Sequence, residues 1–345
     1  MPNADDARAL LLVALAGCTP PGWQEALEQA ARDAEVPGAT MVVVDGGEIV
    51  FSGATGLADL EQGTPMAPGD VVRLGSITKQ LTAALILQLA QEGALSLDDP
   101  VSAHVPDFPK GDHIRLDHLG RHVSGLDDYR DLGAYTEEPM RWEVDELLAL
   151  AYAQPLLGEP AASWDYANAN YLLLGKAAEA VTGERWEDAI RDRIAAPLGL
   201  GLSFPEDGRA PIPGYAGGVD VSDHPHSENS WAAGAALGST EDLALFVAGL
   251  LDGALLDDDH VAEMVAATPL LDGGQYDFGF GVGLDTDKRS GEYEIGHRGR
   301  APGFSSAWGH RPARGVTIAI SVNTDDVAGK DLLREVWAHL EAQDP

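Results

Sequence analysis

Cysteine, lysine and positive charge are all scarce in this chain. A single cysteine, Cys18, stands among 345 residues, so no disulfide can close within it. Only five residues are lysine, and 22 basic residues face 56 acidic ones, for a formal charge of -34. A surface so negative argues against nucleic acid or an anionic membrane as partner. The apolar run at residues 10–18 is too short to cross a bilayer, so no transmembrane span is expected. Repeats with a period of roughly 20 to 50 residues are missing. So are a Gly-x-Ser-x-Gly elbow, a His-Glu-x-x-His zinc motif and a phosphate-binding Gly-x-x-x-x-Gly-Lys, which leaves little support for an α/β-hydrolase, a zincin or a nucleotide hydrolase.

What is present is a globular composition. With 45% hydrophobic residues the chain fills a sizeable core, as one large domain or two. The acids are spread along it, with runs such as Asp257-Asp258-Asp259 in loops. A hydrated surface adapted to salt is one reading. A genome rich in GC is the other, and it explains the few lysines but not the acidic excess. Near the start, Leu15-Ala16-Gly17-Cys18 resembles a bacterial lipoprotein processing box, which makes residues 1–20 a lipoprotein signal, Cys18 the lipid anchor and the mature chain extracytoplasmic (periplasmic or lipid-anchored). Asp5 and Asp6 beside a lone Arg8 suit an export signal poorly, so an ordinary cytoplasmic segment stays open.

Helical spacing of Trp23, Leu27, Ala30 and Ala31 predicts a helix over 23–34, ended by Val36-Pro37-Gly38. Residues 39–44 and 48–54 are apolar or β-branched on either side of Asp45-Gly46-Gly47, which is hairpin chemistry. Residues 57–70 read as a loop, and 71–74 as a short strand leading through Gly75 into a helix carrying Leu81, Leu85 and Leu89. From 95 to about 214 strand-like runs vanish, and helical periodicity appears at 143–153 and 168–181. More helices are expected at 186–195, 240–251 (capped by Ser239 or Thr240) and 257–267. Strands follow at 278–284, 293–297, 304–310 and 316–322, and a helix closes the chain at 331–340. The order predicts an α+β fold. An antiparallel β-sheet is built from 21–95 and 215–345 with helices at both ends, and an all-α domain, 96–214, is inserted.

Three short motifs carry chemistry. In Ser76-Ile77-Thr78-Lys79, a helix that begins at or just after Ser76 puts Lys79 on the same face one turn on. A serine hydroxyl is a weak nucleophile at neutral pH, and a buried lysine amine with a depressed pKa is a base for it. The helix N-terminus adds partial positive charge where an oxyanion would form. By itself the motif also fits an N-cap serine with a solvated lysine. In Tyr166-Ala167-Asn168, a phenol whose pKa a nearby lysine lowers can pass a proton, and the amide can accept from Lys79 and donate to a substrate carbonyl. Alone, it equally fits a loop tyrosine beside a capping asparagine. In His297-Arg298-Gly299-Arg300, at the end of a strand, Gly299 lets the backbone approach a ligand, and a backbone N–H there completes an oxyanion hole with that of Ser76. His297 alone fits a core histidine as well.

Strand alternation turns His297 and Gly299 one way and Arg298 and Arg300 the other. The two arginines then either fork a substrate carboxylate where the strand ends or pair with acids on the far face. His224-Pro225-His226, and His118 with His122 at helical spacing, are candidate metal ligands outweighed by their reading as loop or core histidines. No cofactor and no metal are expected.

Taken in order, Ser-x-x-Lys, Tyr-x-Asn and His-x-Gly resemble the serine β-lactamase and penicillin-binding-protein-like superfamily, in its class C-like branch with related esterases and D-amino peptidases. The loop His122-Val123-Ser124-Gly125-Leu126-Asp127-Asp128-Tyr129 and the segment Gly303-Phe304-Ser305-Ser306 extend the likeness, which covers about residues 36–340. The resemblance implies a β-lactamase/transpeptidase-like fold with the site between sheet and helical domain. It implies that Ser76 is acylated, that Lys79 and Tyr166 share the base and acid roles, and that Asn168 orients a substrate amide. The N–H groups of Ser76 and Arg300 form the oxyanion hole. His297 stands where the lactamases have lysine, which weakens any claim of efficient β-lactam hydrolysis. The function implied is a serine hydrolase acting on a small-molecule or peptide substrate: a short-chain ester, a D-amino peptide or a β-lactam. The alternative is a penicillin- or peptide-binding protein with slow or no turnover.

Overall fold

The computed structural model describes residues 22–132, 142–207, 211–224 and 230–343; the segment around Cys18, and His226, lie outside them. Its centre is a seven-stranded antiparallel sheet. Numbered in chain order, the strands are β1 (Gly38–Asp45), β2 (Glu48–Asp59), β3 (Thr64–Pro65), β4 (Gly283–Thr286), β5 (Tyr293–Ala301), β6 (Phe304–Arg311) and β7 (Val316–Val322). Across the sheet they run β4-β5-β6-β7-β1-β2-β3. The first strand of the chain therefore pairs with the last, Ala39 opposite Val322 and Asp45 opposite Val316. The hairpin expected at Asp45-Gly46-Gly47 forms, with both glycines at the positive φ that its two-residue turn demands.

Both faces of this sheet are covered, which is why β1 reads as a nearly unbroken apolar run. Ala39, Met41 and Val43 join Ile318, Ile320 and Val322 beneath the terminal helices α1 (Trp23–Asp33) and α5 (Gly329–Gln343). Val42 and Val44 face the larger core, shared with α2 (Thr78–Gln91), α3 (Asn168–Thr182) and α4 (Thr240–Leu251). Helix α2 is buried on all sides, as a helix apolar around its whole circumference must be. Its few polar side chains are used as pins. Thr82 donates to the carbonyl of Ala232 at 2.7 Å, Thr78 accepts from the N–H of Ala236 at 3.0 Å, and Gln80 accepts from the indole of Trp308 at 2.8 Å. These bonds fix residues 232–236 and β6 against the helix.

Several expectations need correction. Strand β2 runs on to Asp59 and pairs with β3 inside the stretch 57–70 that reads as a loop. Edge pairing uses main-chain groups, so acidic and glycine-rich side chains did not reveal it. Residues 72 and 73 pair with Leu237 and Gly238 in a separate ribbon rather than in the main sheet. The strand over 278–284 begins only at Gly283, because Gly281 takes φ +83 against Ala83 and Tyr171. Strand β5 continues through Ala301, so the His-Arg-Gly motif lies within a strand rather than at its end. The helix expected over 257–267 is shorter, Asp258–Met264.

The acidic excess bears on stability. At a formal charge of -34, self-repulsion of the folded chain weakens as salt shortens the Debye length. Thermal unfolding followed from low salt to molar potassium chloride should therefore show a rising Tm, and a flat or falling curve would assign the acids to compositional drift.

Candidate active site

Two glycines bring β5 onto the turn that carries Ser76. Gly75 adopts φ +54, and a Cβ there would lie 2.6 Å from the Arg300 carbonyl oxygen. A Cβ at Gly299 would lie 1.9 Å from the carbonyl oxygen of Leu74. Only glycine permits this approach, and it sets the backbone of residue 300 alongside residues 75 and 76. A 3-10 turn, Gly75–Ile77, then feeds α2. Ser76 thus opens the helix, with Lys79 one turn on.

Lys79 has no solvent exposure. Its Nζ lies 2.7 Å from Asn168 Oδ1, 2.7 Å from the Ala233 carbonyl and 3.1 Å from Ser76 Oγ. Burial lowers its pKa to about 7, against an upward pull from Asp128. A neutral amine has two N–H bonds and one lone pair. The two carbonyl oxygens take the hydrogens, which leaves the lone pair directed at the Ser76 hydroxyl. Asn168 is itself held, its amide donating to Asp128 Oδ2 at 2.7 Å. The Asp128 carboxyl is mostly buried, and burial raises its pKa against the opposing pull of the Arg130 N–H and the Lys79 charge.

Tyr166 Oη donates to Ser76 Oγ at 2.8 Å, and Lys79 Nζ sits 4.9 Å from the Tyr166 ring centre. The lowered phenol pKa expected from the neighbouring lysine does not occur. Burial pushes it up instead, helped by the Asp128 charge and opposed by the hydrogen bond to Ser76. Near neutral pH Tyr166 therefore keeps its proton, and Lys79 is the neighbour of Ser76 that can lose one.

On β5, His297 flanks the same site, its ring 6.1 Å from that of Phe278. Burial and the Lys79 charge push its pKa down to about 3, so it offers no cation to a substrate. Its Nδ1 donates to the Arg298 carbonyl at 2.8 Å. Ile295 belongs to the core shared with α2, and Glu294 on the opposite face approaches Arg311 at 3.6 Å. Alternation then sends Arg298 and Arg300 away from Ser76, and both are exposed. The pairing with acids considered above is absent: among the described residues neither guanidinium makes an ion pair.

Sequence reasoning gave no role to several groups the fold delivers here. The Ala233 carbonyl carries no side-chain signature. Asp128 and His122 stand in the loop whose likeness was noted, yet nothing in its composition says which atoms they meet. Trp164 stacks on Tyr276 with ring centres 4.5 Å apart, and Phe278 lies 5.5 Å from Trp164, so an aromatic wall flanks Tyr166. The helical spacing of His118 and His122 does not hold, because the helix Leu116–Gly120 ends before His122. His118 Nδ1 accepts the N–H of Arg115 at 3.2 Å, and His122 faces Tyr166.

A family model described as Beta-lactamase matches residues 23–342. The esterase EstB of Burkholderia gladioli is 34% identical over 209 residues, 55% of this chain and 53% of that protein. A D-aminopeptidase of Cereibacter sphaeroides is 27% identical over 316 residues, 88% of this chain and 60% of that one. The chain thus spans a little over half the length of these curated relatives. Among solved structures, a D-stereospecific amidohydrolase from Streptomyces sp. superposes with a TM-score of 0.78 at 28% identity, covering 90% of this chain and 97% of its own.

Proposed function

The chain belongs to the Beta-lactamase family, and from that premise we propose that it is a serine hydrolase that cleaves an ester or amide through an acyl-enzyme. The observation that carries the reading is the hydrogen bonding of Lys79, which holds its side-chain nitrogen 3.1 Å from the Ser76 hydroxyl. In acylation, Lys79 takes the hydroxyl proton while Ser76 Oγ bonds to the substrate carbonyl carbon. The oxyanion is met by the N–H groups of Ser76 and Arg300. Tyr166 protonates the leaving group as its bond to carbon breaks, and the proton held by Lys79 restores the phenol. In deacylation, water attacks the acyl carbon, gives its proton to the same pair of groups, and Ser76 leaves with one. Asn168 orients Lys79 and presents its amide face to the substrate. The sheet regions, 21–95 and 215–345, and the helical region 96–214 are read as the two walls of this site.

The substrate favoured is uncharged near the scissile bond. His297 is neutral and Arg298 and Arg300 turn away, whereas the wall of Trp164, Tyr276 and Phe278 offers apolar contact. Similarity to an esterase and to D-amino-acid-specific amide hydrolases supports this range. Purified protein should turn over a short-chain nitrophenyl ester in a panel that also holds nitrocefin and a D-Ala-D-Ala peptide. A stoichiometric adduct without sustained turnover on any of the three would instead assign a penicillin-binding role. Arg298→Ala and Arg300→Ala should each change KM by less than about threefold on both a neutral and a carboxylate-bearing substrate. Loss of a charge-assisted bond to substrate would raise KM roughly ten- to a hundredfold on the carboxylate alone, and that result would restore the arginine fork.

No helix among the described residues is long and apolar enough to cross a membrane. An extracytoplasmic location with Cys18 lipidated rests on the Leu15-Ala16-Gly17-Cys18 box, and the mass of the mature N-terminus in a bacterial host tests it.

A further inference from the structure

His122 is buried completely and does no proton transfer in the mechanism above. Its ring stacks on that of Tyr166, centres 4.4 Å apart at 28°. Its Nδ1 accepts the main-chain N–H of Ala167 at 3.2 Å, and the amide nitrogen of Asn170 lies 3.1 Å from the same atom. Asn170 is aimed in turn, since Ser124 Oγ donates to its Oδ1 at 2.6 Å. Ala167 is the residue between Tyr166 and Asn168. One imidazole therefore holds the start of the Tyr-x-Asn motif twice, the Tyr166 ring through its face and the peptide N–H of Ala167 through its edge.

Two features of His122 cost stability. With Nδ1 accepting twice, the proton sits on Nε2, and that buried N–H has no partner among the described residues. A buried polar group left unsatisfied is rare in folded proteins and unfavourable. The residue also takes φ +57, a left-handed conformation uncommon for residues other than glycine, although asparagine, aspartate and histidine adopt it more readily than the rest. Such departures persist where the surroundings impose them, and they concentrate at functional sites. An apolar residue here would remove the orphan N–H, but it would leave the Ala167 N–H without an acceptor.

We propose that His122 is a positioning residue whose Nδ1 lone pair fixes the extended entry Tyr166-Ala167 into α3 at Asn168, and so sets both the distance from Tyr166 Oη to Ser76 and the seat of Lys79 on Asn168. This deepens the acyl-enzyme reading and rests on it. The geometry distinguishes two contributions, the acceptor and the ring. His122→Asn keeps an acceptor near the Nδ1 position, removes the ring and suits the positive φ. His122→Phe keeps a ring under Tyr166 and removes the acceptor.

The test combines acylation by a fluorophosphonate probe, steady-state kinetics on a nitrophenyl ester and crystal structures of the two variants. In folded His122→Phe, acylation and kcat should fall about ten- to a hundredfold with KM nearly unchanged, as expected when a buried N–H loses its acceptor and the reacting groups drift. Its structure should show Tyr166 Oη beyond hydrogen-bond reach of Ser76 Oγ. His122→Asn should keep acylation within about fivefold of the parent and preserve that bond. Parental acylation in His122→Phe, or a Tyr166 that has not moved, overturns the inference. If the Phe variant does not fold, the Asn variant decides, and a loss beyond tenfold in folded His122→Asn overturns it as well. A parent protein that no probe acylates would instead sink the hydrolase reading, while the variant structures still decide whether His122 positions this segment.

Discussion

Ser76→Ala should abolish both turnover and covalent labelling, with kcat reduced about ten-thousandfold or more, because the Ser76 hydroxyl is the group that both Lys79 and Tyr166 address. Ser76 is half-buried and its hydroxyl accepts from Tyr166, so the substitution opens little cavity and should leave the fold intact. Intact mass spectrometry after incubation with a fluorophosphonate or a penicillin reads the result directly. The parent protein should gain one adduct mass and Ser76→Ala none. An adduct that survives in the alanine variant would remove Ser76 as the nucleophile, whatever the steady-state rates.

The second large effect is expected at Lys79. Lys79→Met keeps the length of the side chain and its packing among buried neighbours but removes the base, and kcat/KM should fall about a hundred- to ten-thousandfold. Part of any loss in stability will come from Asn168 Oδ1 and the Ala233 carbonyl, which lose their donor. The pH profile separates the catalytic loss from the structural one. Below its pKa, Lys79 is an ammonium ion without a lone pair, so kcat/KM in the parent should rise about tenfold per pH unit toward pH 7 and level off above it, following the pKa of about 7. His297, at about 3, and His122, held well below the ordinary imidazole range by burial, stay neutral throughout that rise and cannot produce it. The residual activity of Lys79→Met should lack this limb. An unchanged limb in the variant would mean that another group is the base.

The sequence by itself determined which side chains meet at the candidate site. Ser76 and Lys79 are linked by local geometry, since i and i+3 meet on any helix, and the apolar residues 81, 85 and 89 required that helix to be buried. Turn glycines likewise fixed the first hairpin, and strand alternation set Arg298 and Arg300 opposite His297 and Gly299, while their distance from the strand's end was left to the structure. What only the tertiary structure decided is electrostatic and long-range. Whether a tyrosine near a lysine becomes more or less acidic depends on which of the two loses its solvent. Packing of α2 between sheet and helical region buried both, so the amine can lose its proton near neutrality while the phenol keeps its own. The second acceptor of Lys79 is a main-chain carbonyl 154 residues away, and the anchor of Asn168 is Asp128, 40 residues back. Such partners leave no periodicity for a sequence to show, because a backbone oxygen looks the same at every residue and chain closure alone selects the one that arrives.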